Sequence, residues 1–452
     1  MNTILRVSTR SWASEFNRSF SVSSALSAEH SCKVLIIGGG SGGCTMAAKL
    51  TRKLKPKQSV IVLEPSSDHY YQALFTLIGA GVSKLESSWR SEQSVLPKKA
   101  KWLKDHAEKI FPDECYVTTR NGDKINYEYL IVAVGLENDY SAIKNLKECL
   151  DEPKSRVSSI FSHLYCNKVY SDLQTLSAGN AIYTYPDSLI KCPGAPQKIA
   201  YLSDSYLNQT SRRHKVNMYY NTCLPVLFGV KKYADALHKV AARKEININL
   251  RHVLKEINPD RMEAVFYDAA KETTVTMQYS ILHVTPSMKV PRFLSQATSL
   301  VDERGQLQVD KYTLQHDTYK NIFGIGDCTS TPNSKTAAAI AKQSYVLEHN
   351  LLSLLSPAPP APRRYDGYGA CPLVTEFGRC ILAEFLYDGE VHETLPWNQA
   401  KESRIAYYMK KDFFPFLYWN FMLKGYYNGP EFARRILNPF KLAMKKQVRL
   451  NY

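Results

Sequence analysis

The sequence predicts an α/β protein. It has two Rossmann-like dinucleotide-binding domains, the first of them discontinuous, and a helical, membrane-associating C-terminal segment. Three observations predict this. Residues 33–64 read strand, glycine turn, helix, strand and acid. Residues 181–223 repeat the strand–helix–strand order without the glycines. Residues 401–452 carry eleven Lys/Arg against three acids, interleaved with aromatics.

The first unit is the best specified. Val34-Leu35-Ile36-Ile37 is an apolar run of the kind that fills a strand buried on both faces. It meets Gly38, Gly40 and Gly43, which have the G-x-G-x-x-G spacing. The first glycine allows the turn, the second lets backbone approach a pyrophosphate, and the third lets helix pack on strand. The helix N-terminus that follows offers free N–H groups and a favourable dipole to a diphosphate. A second strand, Ser59 to Leu63, ends at Glu64, 21 residues past Gly43. A carboxylate there takes ribose hydroxyls.

Bulk properties narrow the class. A chain of 452 residues suggests two or three domains at roughly 150 residues each. The net charge of +16 points to a nucleic acid or an anionic membrane surface. No zinc-finger or helix-turn-helix spacing occurs, and half the excess charge lies in the aromatic tail, so the reading is a membrane surface and no nucleic acid. No apolar run reaches the ~18 residues of a spanning helix. Residues 1–28 hold three arginines, eight serines and one acid, the composition of a mitochondrial transit peptide. Ten cysteines are scattered without a C-x-x-C pair, so no metal site is expected and most should be small buried hydrophobes.

Further along, Tyr70-Tyr71-Gln72-Ala73-Leu74 follows the acid closely enough to line a ligand. Leu130 to Gly135 is a buried strand ending in glycine. It resembles the segment that closes the cofactor domain of flavoproteins with two dinucleotide-binding domains. Gly324-Ile325-Gly326-Asp327 resembles their G-x-G-D segment, where the Asp bonds the ribityl chain and phosphate of FAD. A helix is expected at about 335–355, its N-terminus facing the flavin. Two segments roughly 300 residues apart thus build one FAD site. Between them, the strand Ala181 to Tyr185 leads into Pro186–Lys198, which has no glycine fingerprint, and the next strand ends in Asn221-Thr222-Cys223 with no acid. The second unit has the order of an NAD-binding fold without its site, so electrons reach the flavin from a donor other than NADH.

The expected organisation is a transit peptide at 1–28, FAD-binding domain at 33–140 and 291–355, and second Rossmann-like domain at 141–290. A proline-rich linker follows at 356–364, then a segment at 365–400 and an amphipathic tail at 401–452. The tail, with Phe413-Phe414-Pro415-Phe416-Leu417-Tyr418-Trp419, suits an interfacial helix pair. Cys192 replaces the lost phosphate loop, just before a helix and beside Lys191 and Lys198, a setting that favours a thiolate. Cys371 follows a glycine-rich stretch and precedes proline. Two such cysteines can form a redox disulfide over a flavin.

These segments resemble one family in particular. Lys191–Lys198, Gly229–Leu237, Gly324–Lys335, Cys371–Glu384 and Pro415–Asn420 are similar to mitochondrial sulfide:quinone oxidoreductases, and the likeness covers about residues 33–435. The resemblance implies non-covalent FAD, hydrogen sulfide as reductant, ubiquinone as oxidant and a monotopic place on the mitochondrial inner membrane. It makes Cys192 and Cys371 the redox pair. In the implied cycle sulfide attacks Cys371, leaving a persulfide there, and the freed Cys192 thiolate passes electrons to FAD. A small thiol such as glutathione, or sulfite, removes the sulfur. The cofactor positions it implies are Gly39, Gly40, Glu64, Gln72, Asp327 and Ala337. Lys198 is either a partner of the persulfide or flavin, or an ordinary surface lysine. Cys223, Cys328 and Cys380 are expected to be structural. Two other readings are a type II NADH:quinone oxidoreductase, which needs a second glycine fingerprint, and a flavin-bearing interaction protein, which needs neither cysteine.

Overall fold

Val34–Ile37 is buried on both faces and forms the inner half of β1 (Glu29–Ile37). The computed structural model describes residues 27–55 and 59–438. Most of the expected transit peptide, and the end of the tail from residue 439, therefore lie outside the described residues. After β1 come α1 (Ser41–Lys53), β2 (Val60–Leu63), β3 (Lys101–Leu103), β4 (Ala107–Phe111), β5 (Tyr116–Thr119) and β6 (Lys124–Val132). The first sheet has the order β3-β2-β1-β6-β5-β4. Strands β3, β2, β1 and β6 are parallel, while β4 and β5 form an antiparallel meander on the outer half of β6.

The second sheet contains β7 (Val157–Ser158), β8 (Gly179–Tyr185), β9 (Val216–Thr222) and β10 (Ile246–Leu250). Helices α2 (Ala195–Gln209) and α3 (Lys231–Arg243) make the crossovers. An antiparallel unit, β11 (His252–Asn258), β12 (Glu263–Asp268) and β13 (Thr273–Gln278), precedes β14 (Ile281–His283). The sheet order is β7-β14-β8-β9-β10, all parallel.

The chain then returns to the first sheet. β15 (Ile322–Gly324) pairs in parallel with the inner half of β6. Helix α4 (Ala337–Ser353), slightly shorter than expected, starts at Thr336, whose hydroxyl accepts from the Ala339 N–H at 3.3 Å, and packs on α1. The hairpin β16 (Gly369–Glu376) and β17 (Arg379–Phe385) lies against α2. The tail is a helical run over 404–422 in which ordinary α turns alternate with π turns at Met409–Phe413 and Tyr418–Met422. A short helix, Glu431–Leu437, follows. Among the described residues no helix is long and apolar enough to cross a membrane.

Register places the site. Ile37 pairs with Leu63 and with Val132, and Val132 pairs with Gly324. Four strands therefore end level, and Gly38, Glu64, Ala133 and Ile325 follow along one edge. This carboxyl edge is where open parallel sheets bind ligands.

Candidate active site

A cavity of about 1860 Å³ opens along that edge. Gly40, Glu64, Gln72, Asp327, Ala337, Cys192 and Lys198 all line it. The three motif glycines have different jobs. At Gly38 (φ +100°) a Cβ would lie 2.7 Å from the Ala133 carbonyl oxygen, and at Gly43 it would lie 1.8 Å from the Gly38 oxygen. At Gly40 it would meet nothing within 4 Å. Two glycines close the turn, and the third leaves room for a ligand. Gly39 is buried behind the loop: its N–H donates to Glu64 Oε2 at 2.6 Å. Glu64 Oε1 also accepts from the Ser66 N–H at 2.7 Å. Burial pushes the Glu64 carboxyl up, and these two N–H groups oppose the rise.

Across the cavity, the Asp327 carboxylate takes no hydrogen bond among the described residues. Burial raises its pKa, against the pull of Lys335 and Lys191. Lys335 Nζ donates to the carbonyls of Thr329 (2.7 Å) and Thr331 (2.9 Å). An open glycine at one end, a carboxylate left for hydroxyls and the N-terminus of α4 fit a long dinucleotide cofactor.

The cysteines meet at the inner end. Cys192, in the loop after β8, has φ +53°, and its N–H donates to the Lys335 carbonyl at 2.8 Å. Cys371, on β16, is 1 % exposed. Gly194 permits their approach, because a Cβ there would lie 2.6 Å from Cys371 Sγ. Lys198 is not a surface lysine: it is 2 % exposed, with Nζ 3.4 Å from Cys192 Sγ and 3.8 Å from Cys371 Sγ. The Cys371 thiol, donating to Cys192, lowers the Cys192 pKa well below its usual value; Lys198 adds to this, while burial opposes it. Cys371 moves up correspondingly. Burial disfavours charge on Lys198, but the two sulfurs outweigh it and raise its pKa. The pair is thus asymmetric, with negative charge favoured on the Cys192 sulfur over that of Cys371.

Residues 32–159 match the pyridine nucleotide-disulphide oxidoreductase family. The chain is 45% identical over 413 residues to "Sulfide:quinone oxidoreductase, mitochondrial" of Mus musculus, covering 91% of this chain and 90% of that one. The chain belongs to the mitochondrial sulfide:quinone oxidoreductases. The Dictyostelium discoideum enzyme is 41% identical over 411 residues, covering 90% of this chain and 89% of that one. The solved sulfide:quinone oxidoreductase of Aquifex aeolicus superposes with a TM-score of 0.74 at 23% identity, over 90% of this chain and 95% of that one. That likeness speaks for the fold.

Two buried groups at or behind this cavity escaped the sequence. Lys410, from the 404–422 run, is 2 % exposed, and its Nζ donates to the Ala73 carbonyl at 2.5 Å. Burial and then the Lys198 charge bring its pKa down to about 8. The ligand-bearing atoms of Cys44, His69 and Glu92 also gather within 4.8 Å of one another behind the glycine loop. Only the fold-back of the tail brings Lys410 here, and no local pattern announces either group. Burial pushes the remaining thiols up: Cys223 and Cys328 to about 11, Cys380 to about 12. That suits structural roles.

Proposed function

We propose that this chain oxidises sulfide at the Cys192–Cys371 pair and passes two electrons through non-covalent FAD to ubiquinone at the mitochondrial inner membrane. The carrying observation is the single ammonium of Lys198, within 4 Å of both sulfurs at the inner end of the dinucleotide cavity. Sulfide attacks the Cys371 sulfur of the oxidised pair. The Cys371–Cys192 bond breaks, an outer sulfur stays on Cys371, and Cys192 leaves as a thiolate beside Lys198. Glutathione or sulfite takes the outer sulfur, and the pair re-forms its bond as two electrons depart. Bound FAD would supply the two-electron acceptor between the cysteine pair and quinone. Gly40, Glu64, Gln72, Asp327 and Ala337 would hold it, with Gly39 acting indirectly by fixing the Glu64 carboxylate through its N–H: Gly40 by open backbone at the diphosphate, Glu64 and Asp327 by carboxylates for hydroxyls, Ala337 by its place at a helix N-terminus.

The membrane assignment has its own support. Among the described residues, nine of fifteen exposed large apolar side chains fall between Ile405 and Leu437. Phe413, 48 % exposed, belongs to that face and also lines the cavity, beside the half-buried Leu417. A lipid-facing apolar rim leading to the flavin is the access a hydrophobic quinone needs. The Cys192–Cys371 assignment stands or falls with one experiment. Anaerobic stopped-flow with sulfide should bleach the flavin rapidly in the wild type and not in Cys192→Ser or Cys371→Ser. Soluble ubiquinone should restore the colour. Bleaching by NADH and not by sulfide would overturn the reading.

A further inference from the structure

A second buried polar chain runs from the glycine loop to the tail. His69 Nδ1 lies 3.0 Å from Glu92 Oε2, and His69 Nε2 lies 2.6 Å from the Tyr418 hydroxyl. That hydroxyl lies 2.8 Å from Ser41 Oγ. His69, Glu92 and Tyr418 are each at most 4 % exposed. Ser41, His69, Glu92 and Tyr418 line the flavin cavity, as does Tyr71, which stacks on Tyr418 at 4.3 Å and faces the Lys198–Cys192 end. The tail thus delivers a phenol that joins the phosphate loop to a buried imidazole–carboxylate pair.

The proton count in this chain is two-valued. Among the described residues, Glu92 has no lysine or arginine within ion-pair distance; its partner is His69. When the imidazole carries both protons, Nδ1–H donates to Glu92, Nε2–H donates to Tyr418, and Tyr418 donates to Ser41. When Nε2 is bare, Tyr418 donates to it and Ser41 donates to Tyr418. Both arrangements pair the imidazole, the carboxylate and the phenol, and they differ by one proton, which leaves or enters through Tyr418. The other titratable groups around the pair are Cys44, 3.9 Å from His69 Nδ1 and 3.3 Å from Glu92 Oε1, together with Glu64 and Lys424. Burial and Glu92 keep the Cys44 thiol protonated.

Reducing a quinone to a quinol takes up two electrons and two protons. We infer that the His69–Glu92 pair stores one of these protons and delivers it through the Tyr418 hydroxyl to the quinone oxygen. As the Tyr418 proton moves to the quinone, the His69 Nε2 proton moves to Tyr418; the bare nitrogen then regains a proton from solvent, which also supplies the second one. His69 and Glu92 act through Tyr418 and are positioning residues; Tyr418 is the group that meets substrate. The inference rests on the sulfide-to-quinone reading above.

The test separates the two half-reactions of the flavin-loaded enzyme. Sulfide is mixed with oxidised enzyme, and soluble ubiquinone with the reduced enzyme, each across a pH series. Tyr418→Phe should slow quinone-dependent reoxidation about 10- to 100-fold, with bleaching by sulfide as fast as in the wild type. Glu92→Gln, which keeps the side-chain shape but removes the carboxylate 3.0 Å from His69 Nδ1, should also slow reoxidation and leave bleaching by sulfide as fast as in the wild type. Reoxidation unchanged in both variants sinks the relay. So does an equal slowing of both half-reactions, the mark of a structural role. Wild-type flavin that sulfide does not bleach sinks the underlying reading instead.

Discussion

The Cys192 N–H donates to the Lys335 carbonyl at 2.8 Å, tying a loop of the second sheet to the approach of α4 in the first. That bond, with φ +53° at Cys192, fixes the sulfur over the dinucleotide edge. The opposite sulfur arrives on a hairpin packed directly against Gly194. In Gly194→Ala the new Cβ would lie 2.5 Å from Leu373 Cδ2 and 2.6 Å from Cys371 Sγ. Both are side-chain ends, so the hairpin shifts at a stability cost of about 1–3 kcal/mol. The expected outcome is a folded protein whose two thiols stay titratable under mild oxidation and whose bleaching by sulfide is at least tenfold slower, to the order of magnitude a misplaced reacting atom implies.

Lys198 adds its charge to the hydrogen bond from Cys371 in favouring the Cys192 thiolate. Lys198→Met keeps the stem and removes the charge that lies 3.4 Å from Cys192 Sγ. The Cys192 pKa should then rise toward that of an ordinary buried thiol. The rate–pH profile for alkylation of the reduced enzyme should therefore move to higher pH by the amount the Cys192 pKa rises. Unchanged alkylation would assign the thiolate to the hydrogen bond from Cys371 alone.

The first Rossmann unit was legible because its chemistry is local. A strand, three glycines with one function each and an acid at a strand end all lie within about thirty residues. Cys192 was legible because the loop that bears it replaces an expected glycine pattern. The sequence left Lys198 open between surface and site, since burial of a helical lysine depends on what packs on the helix; here it is β16. Lys410, His69, Glu92 and Tyr418 were illegible for a stronger reason. The tail reaches back over 300 residues to meet Ala73 and His69. The π turns at Met409–Phe413 and Tyr418–Met422 that turn these side chains have no sequence signature.

The glycine loop separates folding from cofactor binding. Gly43→Ala places a Cβ 1.8 Å from a backbone oxygen, which cannot move without opening β1 from α1. That variant should be recovered unfolded or aggregated. Gly40→Ala meets no protein atom and should unfold at a denaturant midpoint close to that of the wild-type apoprotein. It should nevertheless lose flavin on gel filtration, because its methyl occupies the space left for the diphosphate. Full flavin retention in Gly40→Ala would place the cofactor elsewhere.

Lys410 gives the site a pH dependence of definite sign. Its pKa lies at about 8, lowered first by burial and then by Lys198. Below pH 8 two ammonium groups flank the sulfurs and attract the hydrosulfide anion; above it one remains. The second-order rate of flavin bleaching by sulfide should therefore fall as pH rises through 8, and Lys410→Met should lack that limb. Stability should move the other way. A lysine whose folded pKa lies below its unfolded value destabilises the fold fully below about pH 8, and the effect fades as pH rises toward the unfolded value. Lys410→Met should accordingly raise the urea midpoint at pH 7 and lose that gain near pH 10. A variant that retains the kinetic limb, or gains no stability at pH 7, would remove Lys410 from the site's electrostatics.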